Sequence, residues 1–430
     1  MTRHDASMAR LTRAALGTKV LFMKTCFAAV FKKPFVLLGF VLALFCSCAD
    51  TSVPSIARED PFTLNIGRLE DQIDLFDLEG RRSGGKTRIA MRDGLFYVSN
   101  GNGQKIMRYT SFGDLLFMIY NDETNPPPLT LKPFPENGGM VTRWAVSYPL
   151  RDPGELAVDS RKHIFVEDRM PPERHSNDSE TRALMDSTVL HFDADGRFVE
   201  YLGREGVGGT PFPRIHGIYT SVDDELAVIC RLPVGWHIYW FNSQGTLRWL
   251  VKIANEELPI PSDRDVWASM DTIVAAPDER KIYLKLDYYR DTYDESTNTK
   301  TGSVMDSSVI WIMNVSDGVY SGRIEVPFYA RTFIENNKRV SEDIIYSLLG
   351  AVRNERVMLY VPENGGYSML LLHVNSQDQQ RAFIKVDADE LQYNALTVSD
   401  EGILLGLFAT LYEANVVWWR TDLGLGALSK

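Results

Sequence analysis

Cysteine is scarce in this 430-residue chain: there are four, and three of them (Cys26, Cys46, Cys48) fall within the first 48 residues, leaving Cys230 alone in the body. A single thiol cannot close an intramolecular disulfide, so a disulfide-stapled scaffold is excluded. Cys230 sits in the apolar run Leu-Ala-Val-Ile-Cys-Arg-Leu and reads as a core thiol rather than a nucleophile. An apolar run does occur at Phe35–Phe45, but its eleven residues are too few to span a bilayer, which takes about 20. There is no Gly-rich phosphate loop, no nucleophile elbow and no His-Glu-x-x-His, so no catalytic class announces itself. Positive charge is also in deficit, with 46 Lys and Arg against 57 Asp and Glu. Without residues 1–47 the balance becomes 39 against 56, a formal charge of −17. Phosphate backbones and anionic lipid repel such a chain, and nucleic acid is not an expected partner.

What is present begins with that amino-terminal segment. Lys32-Lys33 precede the short apolar run, which gives it the flanks of a secretory signal. The run-up from Met1 is long for a signal, and Met23-Lys24 would give an ordinary length, so translation is expected to start at Met23. Leu44-Phe-Cys-Ser-Cys48 resembles the lipobox of bacterial lipoproteins, with the small Ser47 before the cysteine and with Phe45 departing from the commonest pattern. The resemblance implies a signal peptide over 1–47, lipidation (palmitate among the acyl groups) at Cys48, a lipidated tether over 48–61, and a membrane lipid anchor outside the cytoplasm, periplasmic or outer-membrane associated. A buried apolar helix or an uncleaved anchor is the competing reading.

From residue 62 the chain repeats. The unit is an apolar strand, a charged turn and a second apolar strand: IAMRDGLFYV from Ile89, LAVDSRKHIFV from Leu156, TSVDDELAVI from Thr220, VAAPDERKIYL from Val274, GAVRNERVMLY from Gly350 and LTVSDEGILLG from Leu396. Each is followed by an apolar or aromatic third strand, and the first five also by a Gly turn and a fourth, as in GRFVEYLG from Gly196. Alternating strands joined by polar turns form antiparallel meanders, and four-stranded meanders repeated radially make a β-propeller. The expected fold is therefore all-β, a six-bladed propeller over 62–430. The sixth unit lacks chain for its fourth strand, and the alternating Phe62–Ile66 is expected to supply it, closing the ring and covering an exposed edge.

An apolar strand, an Asp-rich turn, an I-x-V-x-D/E strand and an aromatic strand ending in a Gly turn resemble the NHL family of propellers, most clearly in LAVDSRKHIFVED and VLHFDADGRFVEYLG. The resemblance implies the six-bladed fold without fixing an activity.

In a propeller the loops between second and third strands and the links between blades open on one face. The long insertions all fall there: Pro171–Ser187, Asp287–Ser308, Asp122–Arg151 and Phe328–Glu342. The first two end alike, at Met185–Val189 and Met305–Val309. Loops on a rigid scaffold are where binding sites are usually built, so Trp144, Arg174, His175, Asp186, Trp236, Tyr288, Tyr289 and Asp306 are candidate binding residues. Acidic surface decoration is the other reading of the same loops. Pro-Glu-Asn-Gly-Gly, at Pro135–Gly139 and Pro362–Gly366, reads as turns, and Asp193-Ala-Asp-Gly196 as a hairpin turn without the distal donors of a calcium loop. His216, beside the first strand of the third unit, is the one histidine expected to face the channel, a weak metal candidate. No cofactor and no catalytic residue are expected. The chain reads as a monomeric, membrane-anchored, non-catalytic binding or scaffold propeller of the bacterial cell envelope, taking a protein or envelope component on its insertion-rich face. The alternative is a metal-assisted lyase or hydrolase with its site at the channel mouth.

Overall fold

The computed structural model describes residues 53–134, 141–262, 264–335, 338–376 and 378–425. The expected signal peptide 1–47, the start at Met23, the lipidation site Cys48 and the first Pro-Glu-Asn-Gly-Gly copy lie outside the described residues. The rest is a β-propeller. The first sheet runs Thr87–Arg92, Leu95–Asn100, Lys105–Tyr109, Leu115–Tyr120, each strand antiparallel to the one before. The second has Leu156–Val158, Ile164–Arg169, Ser187–Phe192 and Phe198–Gly203, and the third Ile215–Thr220, Leu226–Leu232, Gly235–Phe241 and Leu247–Ala254. The fourth has Trp267–Ala275, Lys281–Tyr293, Lys300–Asn314 and Tyr320–Val326, and the fifth Ser347–Val352, Arg356–Glu363, Gly366–His373 and Gln379–Lys385. The sixth takes Tyr393–Val398, Leu404–Ala409 and Glu413–Trp419 from the C-terminal end and Arg58–Asn65 from the N-terminal end.

Turn chemistry sets the meander. In the last hairpins of the second and third sheets, Asp193 accepts from the backbone N–H of Asp195 (3.0 Å) and Arg197 (2.9 Å), and Asn242 from those of Gln244 (3.1 Å) and Thr246 (2.8 Å). Gly196 and Gly245 then stand at φ +80° and +73°, which admits a glycine without strain, and each hairpin carries a one-residue bulge at its base. These turns tuck against the preceding sheet. A Cβ on Gly245 would come within 2.8 Å of Leu202 and Val207, and one on Gly196 within 3.2 Å of Phe117.

The core lies between sheets, not within one of them. Among the described residues six clusters of buried side chains each join two neighbouring sheets: Ile106 and Phe117 with Ile164 and Phe192, then Val189 and Leu202 with Val228 and Phe241, and so on to Phe96 and Tyr109 with Leu407 and Val416 between the sixth sheet and the first. The first strands meet around the axis and leave a channel cavity of about 120 Å³ lined by residues such as Ile89, Leu156, Ile218, Ala275, Leu349 and Val398.

Several expectations change. The segment read as a tether over 48–61 is strand from Ser55: Ser55–Ile56 pairs parallel with Phe383–Ile384, and Arg58–Asn65 extends the expected closing strand four residues upstream. Asp287–Ser308 is not a loop, because the second and third strands of the fourth sheet run on as one long hairpin, with Tyr288 fully buried at its base. Phe328–Glu342 forms a second ribbon, Tyr329–Glu335 with Lys338–Ile344. Within Asp122–Arg151, Trp144–Ser147 adds in parallel to Leu115–Tyr120, and Lys132–Pro133 adds to it in turn. A backbone with unpaired N–H and C=O groups takes a ladder where a sheet edge offers one.

Candidate functional site

On the insertion-rich face, where the first three sheets meet, lies a cavity of about 630 Å³. Propeller geometry brings its walls together. The starts of first strands and the ends of second strands open on the same face, so Lys86 and Arg214, each beside a first strand, meet Glu167, Arg169, Arg231 and Leu232 at the ends of second strands. The insert of the second sheet closes the remaining side through Arg182, Ala183, Leu184 and Asp186. Within the insert, Ser176–Asn177 pairs with Leu184–Met185 around a turn held by Asp178, which accepts from the Thr181 N–H (2.8 Å) and hydroxyl (3.0 Å).

The charge at this site divides into two layers. Beneath, three cations, Lys86, Arg88 and Arg169, face four carboxylates, Glu155, Glu167, Asp152 and Asp186. Lys86 Nζ donates to Glu167 Oε2 (2.7 Å) and to the Ile215 carbonyl (3.0 Å) and stands 3.3 Å from Glu155. Arg88 grips Glu155 with two hydrogen bonds, of 3.0 and 2.8 Å. Arg169 pairs with Asp152 (3.1 Å) and with the buried Asp186. Burial pushes the Glu167 carboxyl above the usual carboxylate range, against the pull of Lys86. At the rim, Arg182, Arg214 and Arg231 are exposed, and none forms an ion pair among the described residues. Arg231 lies over the Trp236 ring, 5.5 Å from its centroid.

The expected site residues scatter. Asp186 lines the cavity, and Trp236 lies beneath its edge but is 2 % exposed and set edge-on to His216 at 4.9 Å, so it is core and not a loop contact. Trp144 is on an outer strand, stacked on Phe117 at 5.7 Å, and its indole N–H donates to the Asp195 carbonyl (2.8 Å). Arg174 is exposed and lies against Tyr201, donating to its hydroxyl (2.9 Å), while His175 meets the Met170 carbonyl at 2.7 Å. Tyr288 is buried, accepting from the Trp311 indole (2.8 Å) and donating to the Pro259 carbonyl (2.6 Å). Tyr289 stacks on Trp267 at 4.7 Å, and Asp306 pairs with Arg290 and with Arg264 (3.4 Å). His216 does not line the channel cavity. Its Nε2 stands 2.8 Å from the Thr272 hydroxyl, and burial lowers its pKa. Among the described residues no three His, Cys, Asp or Glu side chains stand together as metal ligands.

Lys86, Arg182, Arg214 and Arg231 went unread in the sequence because single basic residues carry no motif. Their common signal is positional, since each falls where the repeat unit opens on the elaborated face.

No family model and no curated protein matches this chain. Among solved structures it is similar to the β-propeller domain of the Trilobed protease from Pyrococcus furiosus, at 11% identity over 79% of this chain and 95% of that one, TM-score 0.37. It is also similar to the Dos1 propeller, at 11% identity over 83% and 69% of the two chains, TM-score 0.34. A protein of unknown function from Bacteroides caccae matches at 9% identity over 76% and 98%, TM-score 0.32.

Proposed function

We propose that this chain is a lipid-anchored, non-catalytic binding propeller of the bacterial cell envelope, of the NHL-like six-bladed kind, which takes a protein or envelope component on its insertion-rich face. Each of the six larger sheets counts as one blade in this reading, and the six inter-sheet clusters support it. One observation carries the functional part. The hairpin of the second sheet's insert, the long hairpin of the fourth sheet and the Tyr329–Ile344 ribbon all extend loops of one face, whereas the hairpins of the other face are turns of a few residues. A rigid ring with one elaborated face is a platform for recognition. Among the described residues no helix is long and apolar enough to cross a membrane, and attachment in this reading falls to acylated Cys48.

Photo-crosslinking in cells tests it. A crosslinker at Leu184, 48 % exposed on the elaborated face, is expected to give discrete envelope adducts, and one at Phe112, 86 % exposed in a hairpin of the opposite face, to give none. Equal labelling from both positions, or from neither, overturns the reading. Cys48→Ser is expected to release the protein from the membrane fraction, and continued membrane partitioning would remove the anchor from the proposal.

A further inference from the structure

We propose that the cavity between the first three sheets is a binding site for a small multiply charged oxyanion, a molecule carrying two or more carboxylate or phosphate groups. This rests on the reading of the elaborated face as the binding face and names the chemistry that it takes.

The argument begins with charge. Arg58, Arg88, Arg169, Arg264 and Arg280 pair with carboxylates, whereas others such as Arg174 and Arg323 lie against aromatic rings; what sets the rim apart is convergence. Arg182, Arg214 and Arg231 come from three separate segments, converge on one cavity and have no ion pair among the described residues. Lys86 and Arg169 offset two of the three lining carboxylates, Glu167, Asp152 and Asp186, and with the three rim arginines the five lining cations exceed the carboxylates by two. Positive charge is therefore left over, and it faces the opening. Guanidinium groups are planar forks that match carboxylate and phosphate with paired hydrogen bonds, and several around one concavity select for an anion with more than one oxyanion group.

Arg182 closes the turn of the insert hairpin, where the Asp178 N–H donates to the Ala183 carbonyl (2.9 Å), and its φ of +56° is the left-handed position that this turn needs, as Asn298 (φ +51°) supplies in the Asp294–Thr299 turn. The turn sets Arg182 on the cavity wall. Size agrees as well, because about 630 Å³ lies inside the range of small-molecule sites, roughly 300–1,000 Å³. Ala183, Leu184, Leu232 and Pro233 supply an apolar flank that keeps water from one side of the ligand.

Binding of citrate and of inorganic pyrophosphate to the purified full chain tests the proposal and separates carboxylate from phosphate chemistry. Titration calorimetry is the main readout. Tryptophan emission is the second, since Trp236 lies under Arg231. At least one probe is expected to bind with one-to-one stoichiometry and to weaken steeply with salt. Arg182→Ala, Arg214→Ala and Arg231→Ala are each expected to weaken it about tenfold or more, with the Lys variants intermediate. Arg161→Ala and Arg197→Ala, in hairpins of the opposite face, are expected to leave it unchanged. The three rim arginines are exposed and unpaired among the described residues, so unchanged melting curves will show the variants folded. Two results overturn the site: neither probe binds at millimolar concentration, or binding survives the three rim variants together. Crosslinks from Leu184 in cells without probe binding would refute the anion site and leave the face, and probe binding without crosslinks would do the reverse.

Discussion

At the scale of single residues, Asp168 is the carboxylate most at odds with its surroundings. It ends the second strand of the second sheet at 3 % exposure, accepts the backbone N–H of Asp152 (2.7 Å) and of Arg151 (3.1 Å), and has no cation on its oxygens among the described residues. Burial outweighs the two N–H donors and pushes its pKa up to about 7. The folded pKa thus lies above the unfolded value of about 4, so the folded state holds the proton more tightly. This group favours folding most below about pH 4. Its contribution falls as pH rises from about 4 to 7 and is a constant cost above that, on the order of a few kcal/mol. Asp168→Asn is expected to cancel that slope. Urea midpoints at pH 4.5, 6 and 8 should show the variant gaining on the wild type as pH rises, whereas a constant offset would mean that the carboxylate is already ionised throughout. Sequence alone shows Asp168 as one acid in Val-Glu-Asp-Arg, because burial depth leaves no mark on residue type. Trp236 and Tyr288 are hidden in the same way. Trp236 stands at the start of Gly235–Phe241 and Tyr288 midway along Lys281–Tyr293, where an aromatic residue can face solvent or the next sheet, and packing against His216 or hydrogen bonding to Trp311 decides which.

At the scale of elements, the meander is legible because it is written twice, in alternating apolar strands and in Asx-type turns such as those at Asp193 and Asn242. The insertions are less legible. Tyr-Tyr-Arg-Asp-Thr-Tyr and Thr-Gly-Ser-Val-Met-Asp are polar enough to read as loop, yet they pair from Lys281 with Asn314 out to Tyr293 with Lys300. The base of this hairpin is core, where Lys285 is 1 % exposed and bonds Asp287 (2.7 Å), which also accepts from Ser308 (2.7 Å). Its tip is solvated, with Tyr293 55 % exposed. The two halves should therefore separate energetically. Replacing residues 291–303 by Asn-Gly joins the paired Arg290 and Val304 through a two-residue turn and is expected to shift the melting temperature by no more than a few degrees. Tyr288→Ala is expected to cost about 3–5 kcal/mol in urea, because it leaves a cavity and strands the Trp311 indole. A trimmed protein as unstable as Tyr288→Ala would show that the ribbon is not an appendage.

At the scale of the whole molecule, the ring depends on its N-terminal strand. Arg58–Asn65 covers the edge of Glu413–Trp419 and is fixed at three places. Arg58 makes two hydrogen bonds to Glu390, of 2.5 and 2.8 Å. Phe62 packs on Phe96 and Tyr109 of the first sheet at 5.4 and 5.2 Å, and Leu64 lies in the cluster joining the first and sixth sheets. Just upstream, Ser55–Ile56 adds to the fifth sheet, so about ten residues hold three consecutive sheets together. Closure by this segment could be read from the sequence because the sixth unit runs out of chain while Phe62–Ile66 alternates with no hairpin partner. Its upstream half could not, since Arg-Glu-Asp-Pro lacks strand character until it meets the edge. A chain beginning at Ile66 would leave Glu413–Trp419 with an unpaired row of N–H and C=O groups, the feature that templates association between chains. It is expected to elute as oligomers in light scattering and to lose the single cooperative unfolding transition. A peptide of residues 54–66 added in excess is expected to restore the monomer by filling the vacant edge in the same register, and Phe62→Ala in that peptide to weaken the rescue. If the truncated chain stays monomeric with an unchanged urea midpoint, inter-sheet packing alone holds the ring and the strand is only its cover.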